Sequence, residues 1–111
     1  MPEASTVILH PIGAVDLARA PALAVDAATE IRAGRHVIID LSGVSFIDSS
    51  GVASLMNALR RATRAGLGFA VICGEGQARR TIETLRLIDT LNVGADEAEA
   101  IRRMHQYRGA A

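Results

Sequence analysis

A chain of 111 residues has the length of one domain, and a hydrophobic half with only 3% aromatics supports a small aliphatic core. Twelve acidic residues balance twelve basic ones, all arginine, and with no basic block there is no electrostatic footprint for nucleic acid. No stretch reaches the ~18–20 continuous apolar residues of a membrane span, no basic-then-apolar start marks a signal peptide, and Cys73 alone cannot close an internal disulfide. A cytoplasmic protein without membrane insertion is expected.

Residues 6–12 read as a first strand, with Val7, Ile8, Leu9 and Ile12 apolar. Gly13-Ala14-Val15-Asp16 follows. Pro21 is tolerated at the start of a helix, and Leu23, Ala24, Ala27, Ala28 and Ile31 recur at helical spacing, with Asp26 and Glu30 on the other face and Gly34 at the stop. Residues 36–41 form an unbroken apolar run, as a central parallel strand buried on both faces requires. Asp40 ends it and is read as a loop carboxylate bonded to nearby backbone. A helix over 52–65 is predicted to turn Val52, Leu55, Met56, Leu59 and Ala62 inward and Asn57, Arg60, Arg61 and Arg64 to solvent.

Residues 69–73 make another buried strand, with Cys73 as a small hydrophobe at its end. Gly74-Glu75-Gly76 lacks the Gly-Lys-Ser/Thr ending of a phosphate loop, so nucleotide hydrolysis is rejected. A helix over 77–87 should bury Ala78, Ile82 and Leu85, and a short strand should lie around 90–93. Asp96 and Glu99 have capping-box spacing for a last helix that buries Ala98, Ile101 and Met104. The alternation of strand and helix argues for an α/β domain with a largely parallel sheet. Periodicity leaves open whether one or both faces of the sheet carry helices.

The chemistry concentrates at Asp48-Ser49-Ser50-Gly51, between a strand and a helix. Ser and Asp oxygens accept from the free N–H groups of a first turn, and those groups with the positive helix end favour an anion. A serine there could carry a phosphate without metal or cofactor. Catalysis is not supported. None of His10, His36 and His105 belongs to a Gly-x-Ser-x-Gly arrangement, and His36 should lie a strand length, ~15–20 Å, from Ser49. No His, Cys or acidic spacing suits a metal. No catalytic residue, metal or cofactor is assigned, and the chain is not read as an enzyme.

The passage from Val37-Ile38-Ile39-Asp40-Leu41 through Phe46-Ile47-Asp48-Ser49-Ser50-Gly51-Val52 resembles the signature of STAS domains, in particular bacterial anti-sigma factor antagonists. The resemblance runs over residues 7–104. It implies a single STAS-like domain over 1–111, with 105–111 a loose tail. The expected sheet is mixed, mostly parallel and four- to five-stranded, with helices packed on one side. It also implies that Ser49 is the phosphoacceptor.

Asp48, Ser49, Ser50, Gly51, Ala53, Ser54 and Asn57, with Asp16, are then expected to meet a partner. Asp48 would orient the Ser49 hydroxyl or bind that partner, Gly51 would let the partner's backbone approach, and Ser50 would cap the helix. The partner implied is an anti-sigma factor that is also a serine protein kinase, reset by a PP2C-type phosphatase. The unphosphorylated form would bind it and release a sigma factor. A second implication is an accessory subunit of a lipid-transport ABC complex, contacting its ATPase; a transporter domain is not expected, since no membrane part precedes it. Ala14 stands where the family carries Glu, and residues 1–5 leave little room for the family's extra first strand.

Overall fold

In the computed structural model, which describes residues 4–107, ten elements follow one another. They are β1 (Thr6–Leu9), β2 (Gly13–Val15), α1 (Ala20–Arg32), β3 (His36–Asp40), β4 (Val44–Ile47), α2 (Ser49–Arg64), β5 (Phe69–Ile72), α3 (Gln77–Thr84), β6 (Val93–Gly94) and α4 (Glu97–Tyr107). Four strands form a sheet in the order β1-β3-β5-β6, and β2 pairs with β4 in a separate two-stranded ladder. The α/β architecture with a mostly parallel sheet is as expected. Among the described residues every pairing is parallel rather than mixed.

The apolar runs of β3 and β5 alternate between two cores, as the period of a strand requires. Val37 and Ile39 of β3, with Phe69 and Val71 of β5, face Leu23, Ala27 and Ile31 of α1 and Leu55, Ala58 and Ala62 of α2. Ile38, Ala70 and Ile72 point the other way, against Ala100 and Met104 of α4. Helices therefore cover both faces, which corrects the one-sided arrangement. The reason is visible at Gly94, where an added Cβ would overlap the backbone of Ala100, so the glycine lets α4 lie directly on β6.

Several local readings shift. The first strand ends at Leu9, and its predicted last residues belong to the approach to β2. The last strand begins at Val93 because Asn92 has a left-handed backbone, φ 52°, which asparagine tolerates; its amide donates to the Phe69 carbonyl at 2.9 Å. α3 stops at Thr84, leaving Leu85 45% exposed rather than inward. In α4 Ala100 is buried while Ala98 is exposed. The predicted tail is helical through Tyr107, and 108–111 lie outside the described residues. The capping arrangement holds, with Glu99 N–H donating to Asp96 Oδ1 at 2.8 Å and Ala95 N–H to Glu99 Oε1 at 2.6 Å.

Candidate functional site at the start of helix α2

The β2–β4 ladder builds the site. Its register pairs Val15 with Ile47, so the two chains run out of neighbouring strands together, at Asp16 and Asp48. Asp48 has an extended backbone and is the N-cap of α2, its Oδ1 accepting from Gly51 N–H at 3.0 Å. The cap is therefore Asp48, not Ser50: an aspartate placed one residue before the first helical position outcompetes a serine already inside the helix. Ser49 opens α2 and is exposed, while Ser50 is half-buried. Neither hydroxyl has a hydrogen-bond partner among the described residues.

Gly51 is buried, and a Cβ there would overlap the Val15 carbonyl oxygen and the Ile47 side chain. Its smallness serves the chain's own packing: it seats the first turn of α2 on the β2–β4 ladder. That replaces its expected part in admitting a partner backbone. Ser54 is also withdrawn from the surface, 6% exposed, with its hydroxyl donating to the Gly51 carbonyl at 2.6 Å. The buried stripe of α2 runs through Gly51, Val52, Ser54, Leu55, Ala58 and Ala62. It is rotated from the predicted one, leaving Met56 and Leu59 only partly covered, because glycine and alanine permit closer approach than Met and Leu.

Ser49, Ala53 and Asn57 follow one another at i, i+4 and i+8 along one stripe of α2. Ala53 is exposed; Asn57 is half-buried, accepts from Arg61 Nε at 2.9 Å, and lies about 12 Å along the axis from Ser49. Asp16 turns the chain into α1, its Oδ1 accepting from the N–H groups of Ala18 at 3.1 Å and Arg19 at 3.2 Å. Thus Asp16, Asp48, Ser49 and Gly51 come together, Ala53 extends the stripe, and Ser54 leaves it.

Gln77, at the first position of α3, is the site residue that sequence reasoning passed over. Its Oε1 accepts from Ile47 N–H at 2.9 Å, and its Nε2 donates to the Ile47 carbonyl at 2.9 Å and to Thr81 Oγ1 at 3.0 Å. The amide thus replaces a missing strand neighbour for β4, immediately before Asp48. Between α3 and Ser49 lies an open groove of about 320 Å³, lined by Ser49, Gln77, Arg80, Thr81, Thr84 and Leu85. Residues 77, 80, 81 and 84 share a helix face, a signal readable from spacing; the partner 30 residues away is not.

Other polar groups are engaged elsewhere. Asp40 accepts from Ser42 N–H at 2.9 Å, as read from the sequence, and also lies 3.3 Å from His10 Nδ1. His36 is buried and its Nδ1 accepts from Gly68 N–H at 2.9 Å, with the His105 ring edge-on at 6.2 Å between centroids. Burial pushes the Cys73 thiol above its ordinary value, against a smaller opposite pull from Arg79. Among the described residues no group of three or more His, Cys, Asp or Glu side chains could hold a metal ion, and no helix is long and apolar enough to cross a membrane.

The STAS domain family model matches residues 2–100. The chain belongs to the STAS domain family. The STAS fold extends to solved structures that share it at low identity. The anti-sigma factor antagonist SpoIIAA in its unphosphorylated form superposes with a TM-score of 0.64 at 23% identity, over 95% of this chain and 94% of that one. An anti-sigma factor antagonist from Mycobacterium paratuberculosis gives 0.78 at 23% identity, over 95% and 90%. A sulfate transporter family protein from Wolinella succinogenes gives 0.72 at 14% identity, over 91% and 85%. Comparison of this STAS domain with curated proteins by sequence finds no match.

Proposed function

We propose that this STAS domain is an anti-sigma factor antagonist whose partner binding is switched off by phosphorylation of Ser49. The observation that carries the reading is the Ser49 hydroxyl itself: exposed, unbonded among the described residues, and first in a helix whose cap is already supplied by Asp48. Around it the strand ends carry apolar surface, with Leu17 75% and Phe46 44% exposed. Apolar contacts framing a hydroxyl and two carboxylates, Asp16 and Asp48, suit a protein partner better than a small substrate. The partner is an anti-sigma factor acting also as a serine kinase, and a PP2C-type phosphatase resets the state. The role is regulatory and not enzymatic.

The switch can be sized. A phosphate adds about −1.5 to −2 charges beside Asp48. Against one partner carboxylate ~6 Å away at an effective dielectric of ~20, each unit charge costs about 2.8 kcal/mol. Halved by screening, this still weakens binding about tenfold or more. The helix N-terminus accommodates the same charge, so the fold survives it.

The test is a pull-down from the source cell with wild-type and Ser49→Asp baits, followed by mass spectrometry of partners and of Ser49. Capture of a kinase-fold anti-sigma factor by wild type alone, with phosphate on Ser49, is expected. Equal capture by both baits, or capture of an ABC ATPase with Ser49 unmodified, overturns the reading; the second result assigns the chain to lipid transport.

A further inference from the structure

We propose that Arg80 is the internal receptor for a phosphate on Ser49, so that modification fills the groove beside α2 with an ion pair to α3. The inference rests on the reading of Ser49 as phosphoacceptor. Ser49 and Arg80 line the same groove. Its other polar side chains are neutral and already engaged: the Gln77 amide is held by Ile47 and Thr81, the Thr81 hydroxyl accepts from Gln77 Nε2 at 3.0 Å, and the Thr84 hydroxyl donates to the Arg80 carbonyl at 2.9 Å. The Arg80 side chain is exposed and its guanidinium has no hydrogen bond or ion pair among the described residues.

The nearby alternatives are weaker. Gly51 N–H is already taken by the Asp48 carboxylate. Arg79, next to Arg80, is turned away, its Nη1 donating to the Cys73 carbonyl at 2.7 Å. Asp48 at the corner opposes an added phosphate and leaves the Arg80 cation, which lines the groove, as the compensating charge. A guanidinium matches two phosphate oxygens at once; an aspartate carboxylate can accept the same fork, but it carries one charge on a shorter side chain and reaches less far across the groove. The phosphorylated corner is then a filled, internally paired surface, and Ser49→Asp copies only its charge.

The test uses the full chain with phosphoserine encoded at position 49, in wild-type, Arg80→Gln and Arg80→Ala backgrounds. The phosphorus NMR signal is titrated with pH, and backbone amides are followed with and without the phosphate. Wild type should titrate below the ~6 of an ordinary phosphate monoester, and both variants several tenths of a pH unit higher. Thr81 and Thr84 amides should shift on modification in wild type and remain still in the variants. Equal titration midpoints in all three overturn the proposal. Unchanged melting of the unmodified Arg80→Gln chain shows that a shift is not a folding defect. Because the phosphoserine is encoded, the result is independent of any kinase: a Ser49 never modified in cells refutes the switch, whereas equal midpoints refute only the Arg80 pair.

Discussion

Replacing Gln77 by methionine keeps its length and removes its polar atoms. Ile47, the residue it serves, is fully buried, so water does not take over the two backbone groups bonded to the Gln77 amide at 2.9 Å each. Leaving a buried donor or acceptor unsatisfied costs about 1–3 kcal/mol. Two such groups, taken toward the lower end because the bonds are part-buried, make a loss of about 2–4 kcal/mol. Helix propensity contributes little, since Gln and Met are nearly equal formers. For a domain of this size each kcal/mol lowers Tm by about 4–8 °C, so Gln77→Met should melt at least ~8 °C below wild type. Circular dichroism gives the melting curve, and native-state hydrogen exchange at the Ile47 amide localises the loss. A variant melting within ~2 °C of wild type, with Ile47 still protected, would refute the role given to Gln77.

Asp48→Ala removes the cap bond to Gly51 and should lower stability by about 1 kcal/mol, within the 0.5–2 range of such caps; an unchanged urea midpoint contradicts it. In an open helix Gly→Ala stabilises by roughly 0.5–1 kcal/mol. At Gly51 the sign should reverse, because the new methyl overlaps the Val15 carbonyl and Ile47, and a loss of at least ~1–3 kcal/mol is expected from thermal melts. Cys73 supplies a pH dependence: burial raises its thiol pKa on folding, so above the ordinary value the unfolded chain holds fewer protons and stability falls as pH rises. The contribution is complete below that value and lost through the alkaline range, so wild type should lose stability from pH ~8.5 upward relative to Cys73→Ala. Parallel pH curves would refute this.

Much of this architecture was legible because its signals are local. The apolar runs of β3 and β5, the alanine stripe of α1 and the Asp-x-x-Glu start of α4 each state their element within a few residues. What was not legible depends on closeness between distant segments. β2 is three residues long and β4 four, too short to show a period, and each is a strand because it pairs with the other. Gly51 reads as room for a partner's backbone until the Val15 carbonyl is seen against it. Ser54 looks like another surface hydroxyl until small Gly51 and Ala58 draw its side of α2 into the core. Placing helices on one face failed because the Gly94–Ala100 contact is written in two residues that carry no side-chain signal of their own.

The Gln77 bridge also makes the Ser49 corner depend on a contact between distant segments. Every strand pairing in the main sheet joins segments far apart in sequence, such as Thr6 with His36 and Val37 with Phe69, and such pairings close late because a loop must be ordered first. The bond from Gln77 to Ile47 spans 30 residues. A chain that has formed α2 but not docked α3 presents Ser49 on an unfinished corner, with β4 lacking its side-chain neighbour. Under the proposed function, the surface that a partner meets around Ser49 is complete only once α3 has docked on β4.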